Sequence, residues 1–214
     1  MQTQQTSVSA KLPQRISHAE RIELSDSRMF KAAVKLIVEQ GTEKTTLKDV
    51  GEIAGYSRGL AGSRFKSKKG LFCFVIKRVA DFWLNEMKLA TRGNSGYDAI
   101  FATTDAHYRF CKQAPLQVRA FYILWFESMG LENEVHEVVL AIHKRRLNDV
   151  KVWIEKDIRT GKIPRSVNAE SAARHYLLSI TGIIYLWLLD PQQDEEIKTA
   201  HNYLNETMKK LLLG

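Results

Sequence analysis

Residues 55–70, GYSRGLAGSRFKSKKG, gather five cations with four glycines and no carboxylate. The cations are Arg58, Arg64, Lys66, Lys68 and Lys69. Like charges this close repel one another unless a polyanion supplies the counter-charge, and glycine weakens any helix that carries them. The chemistry on offer is capture of phosphates. Bond-making chemistry finds little foothold, because the six histidines fall into no HExxH, ExxH or Ser-His-Asp grouping. His107 and Cys111 stand four apart and could face one metal, but two ligands do not make a site. Cys73 and Cys111 show no CxxC spacing and read as free thiols in a reducing cytoplasm. No enzyme, cofactor or metal is expected.

The charge is uneven. Residues 1–70 carry 13 Lys/Arg against 7 Asp/Glu, +6, whereas residues 71–214 carry 19 against 17, +2. A basic module joined to a near-neutral one fits a polyanion-binding head with a different partner behind it. With 44% hydrophobic residues the chain can bury a core. It has no Asn-Gly or Asp-Gly hairpin signal, which leans to all-α.

The elements that must position the cations follow from caps and periodicity. Residues 1–20 read as a flexible polar tail with no apolar h-region. A first helix is expected from Ser25 to Gly41, with Met29, Phe30, Ala33 and Ile37 on one face. Thr46 is placed to cap a short helix over Leu47–Ala54, with Asp49 at N3 as a shortened capping box. Gly55 turns the chain, and a second short helix runs from Ser57 to Phe65, so that the pair reads as helix-turn-helix. Gly51 is expected where these two helices cross closely. Ser67 opens a long helix to Thr91, with Lys68 and Lys69 in its first turn, where cations oppose the helix dipole and an anion nearby is implied. Five further helices follow, about nine in all. Tyr176–Leu189, fourteen apolar residues, is short of a membrane span and reads as a buried helix.

Arg28–Phe72 resembles the DNA-binding domain of the TetR family of bacterial transcriptional regulators. The likeness rests on Gly41, Thr45-Thr46-Leu47, Val50-Gly51, Ala54-Gly55-Tyr56-Ser57 and Gly59, followed by Phe65, Lys68 and Leu71. It implies a helix-turn-helix domain over 21–70 and an effector-binding and dimerisation domain over 71–214. It implies DNA contacts from Thr45, Thr46, Lys48, Ser57, Arg58, Gly59, Ser63, Arg64, Lys66 and Lys68, with residues 57–64 as the recognition helix. The chain departs from the family at Gly62, where an aromatic is usual. The expected partners are a double-stranded operator, a small molecule and a second copy of the chain, the last through helices near 169–189 and 194–213. No membrane partner is expected, and the location is cytoplasmic.

Candidate pocket residues are Trp83, Met87, Phe101, Tyr108, Phe121, Tyr122, Trp125, Phe126, Met129 and Trp153. Each could equally pack the core. Their aromatic wealth favours a largely apolar or amphipathic effector. Thr104, His107, Glu127 and His175 are the polar groups that could orient it. Two alternatives stand beside a ligand-released repressor: a DNA-binding regulator controlled by a protein partner, and an all-α enzyme.

Overall fold

A computed structural model describes residues 17–214 except Leu131, Pro191 and Gln193, and except the side chains of Arg58 and Asp194. All regular structure in the described residues is helical: α1 His18–Lys44, α2 Leu47–Ile53, α3 Arg58–Phe65, α4 Lys68–Thr91, α5 Gly96–Gln113, α6 Pro115–Glu127, α7 Glu134–Thr160, α8 Ala169–Leu189 and α9 Asp194–Leu213. Residues 1–16, most of the expected tail, lie outside the described residues.

The first helix starts earlier than expected, at His18 rather than Ser25, and takes in the end of the expected tail. The cause is local. The Ser17 hydroxyl accepts from the Glu20 backbone N–H, and the Glu20 carboxylate accepts from that of Ser17, so the box satisfies two otherwise orphaned donors. Ser25 instead donates its hydroxyl to the Ile22 carbonyl, as a residue inside a helix does. Gly41 is the expected break, with φ 81°, although three more helical residues follow it.

The head is small. α1 packs on α2, and α2 on α3. Thr46 caps α2 by accepting from the Asp49 N–H, while Asp49 accepts the Thr46 hydroxyl proton instead of reaching the cap backbone. Gly51 stands at the crossing, as expected: a Cβ there would lie a tight 3.3 Å from the Ser57 carbonyl oxygen and 3.5 Å from the Ala61 Cβ.

α4 joins this head to the rest, packing on α1 and α3 and on α5, α6 and α7, and α1 also packs directly on α6. α8 lies against α7 and α9, and α9 also lies against α5. Its 21 residues exceed the fourteen of the apolar run, so by length and composition alone α8 could cross a membrane. One face of α8 packs inward, with Ala173, Tyr176, Leu177, Ile180, Ile184 and Trp187 buried, while Leu178, Tyr185, Leu186 and Leu189 on the other are exposed. Asn133 caps α7 and Asn168 caps α8 with their side-chain oxygens, and Gly161 ends α7 at φ 79°.

Candidate DNA-reading face and candidate effector cavity

α3 buries Ala61 and Phe65 and turns Gly59, Leu60, Ser63 and Arg64 outward. Of Arg58 the backbone is described, and it opens the helix. The expected contact residues then divide. Lys48, Thr46, Ser57, Gly59, Ser63 and Lys66 lie on exposed surface around α3. Ser63 spends its hydroxyl on the Leu60 carbonyl. Thr45 is fully buried, its hydroxyl donating to the Gly41 carbonyl, so it holds the α1–α2 joint away from any surface.

Two cations expected on phosphate are engaged within the protein. Arg64 Nε donates to Asp26 Oδ1 at 2.9 Å, and its Nη2 donates to Asp26 Oδ2. Asp26 is 6% exposed, which makes this a forked pair between α3 and α1. The hydrogen bond to Asp26 holds the Arg64 guanidinium above its usual pKa. Lys68 Nζ donates at 2.7 Å to the Glu43 carbonyl at the end of α1. The anion implied by cations at the start of α4 is thus met, without DNA, by a carbonyl carrying the negative end of another helix. Lys69 remains exposed.

The glycines of the basic stretch also divide. A Cβ on Gly70 would stand 2.2 Å from the Phe65 carbonyl oxygen, so glycine is required there. Cβ atoms on Gly59 or Gly62 would meet nothing within 4 Å.

Between α4, α5, α6 and α7 lies a cavity of about 120 Å³. Of the expected pocket residues it gathers Trp83, Met87, Phe121 and Tyr122. The other six do not line it. Phe101 is 49% and Met129 53% exposed. Tyr108 lies against the ring of His201, while Trp125 and Phe126 stack behind Tyr122. Trp153 packs on the core. Among the polar candidates, His107 lines the cavity. Thr104 is buried and donates to the Ile100 carbonyl, whereas Glu127 and His175 are exposed.

The sequence reading missed Phe110, Val118, Arg146 and Asp149 in the wall. A signal for Arg146 existed: it stands four residues after Ile142 and four before Val150, on the apolar stripe of α7. A charge in such a stripe faces inward. Its guanidinium lies over the Trp125 ring, and Nη1 donates to the Tyr122 hydroxyl at 3.4 Å. Burial pushes the Asp149 carboxyl up, against Arg145 and Lys88.

His107 reaches a second element. Its Nδ1 lies 3.0 Å from Nε2 of His201 on α9, and His201 Nδ1 lies 2.7 Å from the Ile197 carbonyl oxygen. The Cys111 sulfur is 3.9 Å from His107 Nδ1. Burial pushes that thiol up to about 12, which leaves it protonated and unreactive at neutral pH. No group of three metal-binding side chains occurs among the described residues.

Residues 30–73 match a family model described as bacterial regulatory proteins, tetR family. Over 197 residues the chain is 20% identical to the HTH-type transcriptional regulator TtgR of Pseudomonas putida, with 88% of this chain and 91% of that protein covered. The fold resembles that of SmeT, repressor of a Stenotrophomonas maltophilia multidrug efflux pump, in its complex with triclosan. There the TM-score is 0.76 at 16% identity, covering 89% of this chain and 92% of that one. It also resembles the transcriptional regulator FadR of Bacillus subtilis in complex with stearoyl-CoA, at TM-score 0.72 and 16% identity, covering 85% and 96%.

Proposed function

The chain belongs to the TetR family of bacterial regulatory proteins and is a DNA-binding transcriptional regulator, and from that premise we propose how its parts work. Domains over 21–70 and 71–214 divide the labour. Two copies pair through α8 and α9 and present two α3 helices to a palindromic operator in the cytoplasm. The base-reading residue is Arg58, in the first turn of α3, where a long side chain has the reach of a guanine edge. Thr46, Lys48, Ser57, Ser63, Lys66 and Lys69 ring the phosphates. Lys68 and Arg64 set the attitude of α3 on α1 and α4. A small, largely apolar molecule in the α4–α7 cavity releases the operator, so the mode is repression. TtgR is named a transcriptional regulator, and SmeT, with its bound triclosan, is named a repressor. Both support this reading.

One observation carries it. α4 is a single 24-residue helix whose first residue, Lys68, grips the end of α1 beside the reading head. Trp83 and Met87 of the same helix line the cavity. At about 5.4 Å per turn these lie about four to five turns from Lys68. A ligand wedged against Trp83 tilts α4 as a lever and displaces α3. The two α3 helices must enter grooves about 34–36 Å apart, so a displacement of a few ångströms spoils the fit. By linkage, DNA must weaken ligand binding by the factor by which ligand weakens DNA binding.

The test begins with selection of bound sequences from random duplexes, followed by fluorescence anisotropy on the selected operator. A palindromic site is expected, with Trp83→Leu keeping operator affinity while losing release by ligand. Binding without sequence preference at physiological salt overturns the operator reading. Unchanged release by Trp83→Leu overturns the lever.

A further inference from the structure

The polar groups of the cavity define what it can hold, if the cavity is the effector site proposed above. A carbonyl oxygen can only accept, so His201 Nδ1, 2.7 Å from the Ile197 oxygen, carries the hydrogen. Both imidazoles are kept neutral. Burial pushes His107 well below its usual pKa, with His201 and Arg146 adding to it, and burial also lowers His201. A neutral His201 with hydrogen on Nδ1 has a bare Nε2. That atom can only accept from His107 Nδ1, 3.0 Å away. His107 Nε2 is then bare in turn. It is an acceptor that nothing among the described residues satisfies.

His107 and Arg146 line both the main cavity and a smaller one of about 20 Å³ beside it. In the smaller one the hydroxyl of Thr103, a residue 4% exposed, has no hydrogen-bond partner. Arg146 keeps free N–H groups beyond its one long bond to Tyr122. An orphan acceptor beside orphan donors is the complement of a hydroxyl, which donates once and accepts twice. A carboxylate would satisfy Arg146 but set its lone pairs against those of His107. The rest of the wall sets apolar side chains, Trp83, Phe110, Val118 and Phe121 among them, beside the charged Lys77, Asp81, Arg145 and Asp149. Its volume of about 120 Å³ is near the roughly 150 Å³ of an apolar protein cavity that holds benzene.

We propose that the cavity takes a neutral one-ring phenol, whose hydroxyl donates to His107 Nε2 and accepts from Arg146 or Thr103 while its ring packs against Trp83 and Phe121. Covering this acceptor with an apolar group that cannot match it costs enough that phenol should bind about ten-fold tighter than toluene, which has the same shape but no hydroxyl.

The experiment is calorimetric titration of the full chain with phenol, toluene and benzoate, alongside long-range ¹H–¹⁵N spectra of the histidine rings. The expected result is phenol tightest, a bare His107 Nε2 in the free protein, and a shift of that nitrogen's resonance on adding phenol but not toluene. His107→Phe should close the gap between phenol and toluene. Should that variant not fold, the wild-type ring spectra decide alone. Equal binding of phenol and toluene overturns the hydroxyl while leaving the cavity as an effector site. Tightest binding by benzoate overturns it in favour of an anion site on Arg146. A protonated Nε2 in the free protein also overturns it. If none of the three binds, the effector reading of the cavity falls together with the proposal.

Discussion

Arg64 is the residue where reading DNA and holding the fold compete for one guanidinium. Its fork closes on Asp26, which is nearly buried, so deleting the cation strands a carboxylate out of water. Arg64→Ala is therefore expected to lower stability by about 1–3 kcal/mol, read as a shift of the urea midpoint. Arg58→Ala, at the opening of α3, is expected instead to relax sequence preference and cost about 1–3 kcal/mol of operator binding, read by anisotropy. An unshifted urea midpoint for Arg64→Ala would mean that the pair with Asp26 does not support the head. The basic stretch was legible as a cluster of cations because its charges are neighbours in sequence. What each cation touches was not legible: Asp26 is 38 residues from Arg64 and Glu43 is 25 from Lys68. The same holds in the cavity, where His107 drew notice through Cys111, four residues on, while its hydrogen-bond partner His201 lies 94 residues away.

At the scale of the helix, the glycines of the head do two different things. In α3 the glycines weaken a helix of eight residues and relieve no contact, since a Cβ on either meets open space. Neither has the positive φ that would demand glycine. Gly62→Ala should therefore stabilise the protein by about 1 kcal/mol. Gly70→Ala must push the Phe65 carbonyl away from the start of α4 and should destabilise it by more than that. Thermal melts of the two variants should move in opposite directions, and a downward shift for Gly62→Ala would show that α3 needs the glycine for its own folding. A loss of operator affinity in a stabilised Gly62→Ala would locate the need at the DNA, where the family usually carries an aromatic. Helix identities were legible because caps are local: Thr46 and Ser67 both act where their types predict. The start of α1 was not legible from Ser25, a good cap by type that lies inside the helix opened by the Ser17–Glu20 box eight residues earlier. The cavity was half legible. Aromatic content identifies inward residues but does not separate those that line a space from those that fill one, as Phe121 and Trp125 show on the same helix.

Across the whole molecule, α9 is tied to α5 by the buried imidazole pair and stands beside an apolar face of α8 that the single chain leaves open. The first has a pH signature. Both His107 and His201 have folded-state pKa values below the usual one. As the pH falls through about 6.5 the unfolded chain takes up protons that the folded one refuses, so stability is lost from there downwards and is retained above it. Urea midpoints should fall between pH 7.5 and 5.5, before the carboxylates titrate, and a flat profile would mean the pair is not neutral in the fold. The second has an assembly signature. Leu178, Tyr185, Leu186 and Leu189 of α8 are 72%, 53%, 59% and 65% exposed, and Tyr203 of α9 is 74% exposed. Leu178, Tyr185, Leu186 and Leu189 recur at helical spacing and so share one face, and Gly182 within it has open space where a side chain would stand. Apolar groups gathered on adjacent helices mark an interaction surface rather than scattered exposure. A two-fold axis through α8 and α9 would place four helices together and bury them. Sedimentation at micromolar concentration should then return twice the 24.5 kDa of one chain. Leu178→Glu should return 24.5 kDa with its melting temperature little changed once concentration is allowed for, because the position is exposed in the single chain. The monomeric variant should bind a palindromic operator far more weakly than a half-site count predicts, since the two heads lose their common frame. A monomeric wild type would remove the pairing through α8 and α9, and with it the reason to expect a palindrome at all.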